Sequence, residues 1–376
     1  MKKILKSVVL KTILTLIISV LLVFGITVGG IRLHRLNLSD RYNFDYLTGG
    51  ANKVILFVGD GMGKEHIEVT EAYYEKELFF KSFKKRGSVS TASLDVLKST
   101  DSASTATAFA TGRKVHNKEI STLNYQALPT ITEYLKENGI GVGLVSTDNL
   151  YSQTVAAYSS HSVSEENIIE IINDQSTSGV DLFLGSGKEL YNEYKFNFNE
   201  QGYHYYTNYR EIDINTKKVI GVFDELSDEK TNSTIPSLDV LTKIAVNFME
   251  TNFPDGYFLV IECGHIDKMS HNANIFEMME YLENFDKSIY DTYETLKEDE
   301  NCTIIVTSNH ETGGLNYNGE AKDDINSMDL ITHDGHTLVD VPYYIHFGND
   351  EMNNYFLPDI IDNTDIYKLC KALLSD

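Results

Sequence analysis

Short apolar runs alternate along this chain with segments of helical pattern, and several runs lead straight into glycines or polar residues. The runs Lys53–Val58, Gly141–Val145, Asp181–Leu184, Tyr257–Glu262, Cys302–Thr307 and Val341–Phe347 read as buried strands. Between them, Ser102–Thr111, Glu166–Ile172, Leu238–Glu250 and Ile275–Lys297 read as helices. Strands that are apolar throughout must be covered on both faces. The pattern therefore implies an α/β fold with a mainly parallel central sheet and helices on both sides. Ligands of such sheets gather at the carboxyl ends of the strands. The tails Gly59-Asp60-Gly61, Glu262 through Asp267 and Asn309-His310-Glu311 thereby become the place to look for chemistry.

The first residues differ from the rest. Thr12 to Ile31 carries no charge over 20 residues, the length a helix needs to cross ~30 Å of hydrocarbon. Lys2, Lys3, Lys6 and Lys11 precede it, which keeps the N-terminus inside and exports the remainder of the chain. The alternative is a cleaved signal peptide, whose apolar region is usually shorter, about 7–15 residues. Thr27-Val28-Gly29 is a fair match to its small-x-small cleavage site. The expected organisation is a membrane anchor or signal over 1–35, a polar tether over 36–50 and one main domain over 51–376. The location is then the cell membrane with the domain outside the cytoplasm, or secretion after cleavage.

With 376 residues, 42% of them hydrophobic, the chain can build one large core. Charge narrows its partners. All six Lys or Arg before Asp40 lie where there is no acid, so the remainder carries 26 basic against 55 acidic residues, or −29. So acidic a domain excludes nucleic acid as a partner and repels anionic substrates at long range. A phosphate site here needs local positive charge, which metal ions held by acidic ligands provide. Cys263, Cys302 and Cys370 are widely spaced and form no CxxC pair, so they read as core thiols.

Five segments carry candidate chemistry. In VILFVGDGMG, Asp60 sits in a glycine-rich turn that admits close approach to the backbone. In STDSASTATAFATG, Ser102 stands at a helix start, where backbone N–H groups favour an anion, and a metal could activate its hydroxyl. In FLVIECGHIDKMSHNAN, Glu262 ends a strand, and Asp267 and His271 lie four apart, a carboxylate and imidazole set suited to zinc. TIIVTSNHETGG places His310 after a strand, and HDGHTLVDVPYYIHFG places His336 before one.

In this order and spacing the segments resemble the alkaline phosphatase family, over about Lys53 to Phe347. The resemblance implies that family's three-layer sandwich, two zinc ions and one magnesium, and hydrolysis of small phosphate esters through a phosphoserine. It makes residues 51–376 the catalytic domain. By position, Ser102 is similar to the nucleophile. Asp267, His271 and His336 are similar to the ligands of a first zinc that activates water. Asp60, Asn309 and His310 correspond to those of a second zinc, and Glu262 and Thr154 to magnesium ligands. Members are often homodimers.

Three positions depart from the pattern. Asn309 stands where the family has Asp, and a neutral amide binds zinc less strongly. Ser152 stands where a magnesium-ligating Asp or His is expected. Glu165 stands in place of a phosphate-binding Arg, and Ser162-x-x-Glu165 reads as a helix-start capping box. Lys268 follows Asp267 as in bacterial relatives, and Ser152 would leave it unpaired and free to contact phosphate. Arg113 is a second candidate for that role. The leading expectation is a phosphomonoesterase. A phosphodiesterase-like relative and a catalytically weak metal-binding surface protein are the alternatives.

Overall fold

The computed structural model describes residues 13–20, 41–95, 98–224, 236–319, 322–325 and 330–375. The chain divides into two units, Met1–Arg41 and Tyr42–Asp376. In the first, residues 13–20 are helical (α1) with exposed apolar side chains such as Leu16 and Val20. The rest of the expected span, residue 12 and residues 21–31, lies outside the described residues. Among the described residues no helix is long and apolar enough to cross a membrane. Of the tether expected over 36–50, residues 41–50 are described. Asp45–Leu47 form a 3-10 turn, and Phe44 and Leu47 are buried in the main core, because both are large apolar side chains.

The second unit is built on a 10-stranded sheet. Its strands are β1 (Lys53–Gly59), β2 (Lys85–Ser90), β5 (Gly141–Asn149), β6 (Leu182–Ser186), β7 (His204–Tyr206), β8 (Val219–Phe223), β9 (Tyr257–Cys263), β10 (Cys302–Thr307), β11 (Val341–Phe347) and β12 (Ile360–Asp362). A separate hairpin joins β3 (Thr122–Leu123) to β4 (Gln126–Ala127). The order across the sheet is β12-β2-β11-β10-β1-β9-β5-β6-β8-β7. Among these strands only β11 runs against its neighbours, pairing antiparallel with β10 and β2. The central strands β1 and β9 are buried along their whole length.

Helices cover both faces, as the apolar runs require. Val54, Leu56 and Val58 of β1 face a core shared with α3 (Ser102–Thr111), α4 (Ile131–Glu137), α5 (Gln153–Ser159), α6 (Ile168–Thr177), α7 (Lys188–Glu200) and α12 (Asn363–Leu374). Ile55 and Phe57, one step out of phase, face α2 (Lys64–Tyr74), α8 (Leu238–Asn252), α9 (His265–His271) and α10 (Ile275–Leu296). Period-two alternation thus splits one strand between two cores. A last short helix, α11, spans Lys322–Ile325. The three cysteines are buried and free.

Candidate active site

The expected residues stand where strands end. Asp60 follows β1, Glu262 is the penultimate residue of β9, Asp267 and His271 are on α9 just beyond it, and Asn309 and His310 follow β10. Because β11 is antiparallel, its beginning lies at this same edge, and His336 precedes it. Thr154 and Ser152 stand at the start of α5, after β5.

Ser102 is the first residue of α3. Asp101 caps that helix by accepting Ser104 N–H at 2.8 Å and Lys118 N–H at 2.7 Å. The helix is made of Ala, Ser and Thr, with Phe109 as its one large side chain, so it is buried along its whole length. It ends at Gly112 (φ 68°), where a Cβ would lie 2.6 Å from Tyr367 of α12. Ser102 Oγ lies 2.9 Å from His310 Nε2 and 3.4 Å from Asp60 Oδ1.

His271 and His336 are oriented alike. His271 Nδ1 is tied to the Asp334 carbonyl, and His336 Nδ1 lies 2.8 Å from the Thr100 carbonyl. Each therefore donates from Nδ1 and leaves a lone pair on Nε2. Those two Nε2 atoms face each other at 3.2 Å, beside the Asp267 carboxylate at 3.3 and 3.7 Å. Two lone pairs and a carboxylate can share that space only with a cation between them. The Asp267 hydrogen bond raises the His271 pKa to about 9. Burial works against Asp267 ionisation, but the His271 hydrogen bond and the neighbouring imidazoles hold its carboxyl below the usual range. His310 joins this group, its ring stacked on His336 at 3.6 Å, and Asp267, His310 and His336 offer ligand atoms within 4.8 Å of one another.

A second acidic group lies deeper. Glu262 accepts from Ser146 Oγ at 2.6 Å, its in-register neighbour on β5. Burial raises its pKa to about 7 and, with the Asp267 charge, raises that of Asp60 as well. Thr154 is buried here too, its hydroxyl hydrogen-bonded to Glu262. Two desolvated carboxylates and a hydroxyl oxygen form an all-oxygen set suited to a hard divalent cation.

Asn309 is held tightly. Its Oδ1 accepts Gly61 N–H at 3.2 Å and His310 N–H at 2.9 Å, and its Nδ2 donates to Asp60 Oδ1 at 2.8 Å. Gly61 has φ 73°, and a Cβ there would come within 2.8 Å of Thr312 Oγ1 and 2.9 Å of Asp267 Oδ1. Only glycine fits this turn.

Other expectations are corrected. Lys268 is not unpaired: Asp148, at the end of β5, holds its Nζ at 2.5 Å. Arg113 lies exposed beyond the far end of α3, about 15 Å along the helix from Ser102. Ser162 and Glu165 form no capping box, since α6 starts at Ile168 and Ser162 Oγ donates to Glu170 instead. Glu165 sits near Asp101 and Lys118, and burial, with the Asp101 charge, raises its pKa. Thr312 escaped the sequence reading because a hydroxyl carries no distinctive signal. It donates to Asp267 Oδ1 and accepts from His310 Nδ1 at 3.1 Å.

The alkaline phosphatase family model matches residues 51–181 and 173–352. Alkaline phosphatase 4 of Bacillus subtilis (strain 168) is 32% identical over 238 residues, covering 59% of this chain and 51% of that protein. Alkaline phosphatase 3 of the same organism is 29% identical over 296 residues, covering 71% and 62%. The chain thus spans between half and two thirds of the length of these relatives. The solved structure of alkaline phosphatase from the Antarctic bacterium TAB5 superposes with a TM-score of 0.74 at 26% identity, covering 86% of this chain and 98% of that one.

Proposed function

The chain belongs to the alkaline phosphatase family, and from that premise we propose that it is a metal-dependent phosphomonoester hydrolase with Ser102 as nucleophile. The convergence of His271 Nε2, His336 Nε2 and Asp267 carries this reading. Three protein ligands with an open position are what catalytic zinc requires. Asp60, Glu262 and Thr154 would hold magnesium. When bound, such ions supply charge stabilisation and lower the pKa of water and of a nearby hydroxyl.

The residues divide the work. Asp101 fixes the start of α3, so that Ser102 Oγ meets phosphorus with helix N–H groups behind it. Ser102 Oγ bonds to phosphorus as the ester oxygen leaves with the alcohol. Water then attacks the phosphoserine, the bond to Oγ breaks and inorganic phosphate departs. Lys268, held by Asp148, presents positive charge at the site's edge. The substrates are small phosphate esters, and nucleic acid is excluded by the acidic surface. The chain works outside the cytoplasm, held at a membrane by its N-terminal segment.

One observation favours phosphodiesters instead: the Glu165 carboxyl beside Asp101 disfavours a phosphate dianion more than a diester monoanion. The test is turnover of p-nitrophenyl phosphate and its bis-ester by the full chain with zinc and magnesium. Monoester turnover should exceed diester turnover. It should fall by on the order of 10³ in Ser102→Ala, stop with a chelator and return with zinc. Turnover indifferent to Ser102 would end this reading.

A further inference from the structure

We propose that Asn309 closes the second zinc position, so that the chain holds zinc tightly at Asp267, His271 and His336 only. The inference rests on the proposed function for the identity of the first centre. Two backbone donors, Gly61 N–H and His310 N–H, converge on one terminal atom of the Asn309 amide, so that atom is the oxygen. The other terminal atom is therefore the nitrogen, and it donates to Asp60 Oδ1. This oxygen of Asp60 is also the one nearest Ser102 Oγ and His310 Nε2, at 3.4 and 3.2 Å. Where a second ion would need a third protein ligand, the chain thus presents an N–H group.

Turning the amide over to offer its oxygen would set its NH2 against two backbone N–H groups in a buried turn, donor against donor. Asn309 is fully buried, so no water can take the place of a lost partner. The second position keeps Asp60 and His310, two ligands against the three of the first centre, and falls short of what catalytic zinc sites use. The Asn309 N–H on Asp60 takes over part of the charge neutralisation an ion would give. His310 Nε2 is left to accept from Ser102 Oγ. A carboxylate at 309 would reverse this, since one oxygen could accept the two N–H groups while the other faces the ion.

The test counts metal rather than turnover, so it stands or falls separately from phosphatase activity. The full chain, Asn309→Asp and Asn309→Ala are equilibrated against buffered free zinc and analysed by elemental mass spectrometry and calorimetric titration. One tight zinc per chain is expected in the wild type and in Asn309→Ala, and two in Asn309→Asp. The second Kd should tighten by about 100-fold or more on restoring the carboxylate. Zinc should also raise the melting temperature of Asn309→Asp more than that of the wild type. Two tight zincs in the wild type would overturn the proposal, as would one in Asn309→Asp. No zinc in any of them would remove the first centre and the proposed function together.

Discussion

Thr312 joins the two ligand groups through a single hydroxyl. Its proton goes to Asp267, and its oxygen takes the Nδ1 proton of His310, which turns His310 Nε2 toward Ser102 and Asp60. Thr312→Val keeps the shape and removes both bonds. It should cost ~1–3 kcal/mol of stability, from the buried partners left unpaired, and weaken zinc binding by about 10–100-fold. Thr312→Ser should restore zinc affinity. Denaturant unfolding and zinc titration check this, and an unchanged zinc Kd in Thr312→Val would remove the role. The candidate ligands were legible in the sequence because metal chemistry confines them to carboxylates and imidazoles at strand ends. Thr312 and Asp148 were not, since a buried hydroxyl or one more Asp in an acidic chain carries no local signal. Asn309 was legible as a departure, but the direction its amide faces depends on two backbone donors that only the fold brings together.

At the level of elements, the layer beneath the serine helix is clamped by His161. Its Nε2 meets Glu133, the capping-box residue of α4, at 3.1 Å; its Nδ1 meets the Ser121 carbonyl at 3.0 Å. Its backbone N–H donates to Asp174 of α6. The Glu133 hydrogen bond raises the His161 pKa above 6.5, and the same bond lowers that of Glu133 below 4.5. A raised imidazole pKa stabilises the fold fully below pH 6.5 and ceases to do so as pH rises through the raised value. The lowered carboxyl contributes above pH 4.5 and fails as pH falls through its own value. Wild type should therefore exceed His161→Gln by about 0.5–1 kcal/mol near pH 5.5, the scale of a partly exposed ion pair, and by little at pH 9. Urea midpoints at the two pH values measure it, and a gap that does not shrink at pH 9 would contradict it. Among the strands, β1, β5, β6, β9 and β10 announce themselves as apolar runs because both their faces are covered, whereas β11 is buried on one face and part-buried on the other. β2, with the sequence KRGSVS, does not: it is a strand because β11 and β12 supply ladder partners on either side. Helix α6 begins two residues later than its pattern suggests, after the turn through Glu165.

For the whole molecule, charge is the governing difficulty. The proposed function requires a domain of net charge −29 to accept a substrate of the same sign. Glu165 and Asp101 add to the repulsion near Ser102, and Lys268 is already matched by Asp148. Attraction therefore has to come from cations at the strand ends, where His271, His336 and Asp267 converge and where Asp60 and Glu262 lie buried together. On the proposed function, Ser102 therefore attacks phosphate only with metal beside it. It is tested most directly by acid-quenching the full chain during turnover of a phosphomonoester and mapping the phosphoryl group by peptide mass spectrometry. One phosphoryl group is expected, on Ser102, present with zinc and absent after chelation or in Ser102→Ala. Rapid turnover with Ser102 unmodified, or phosphorylation that persists without metal, would contradict it.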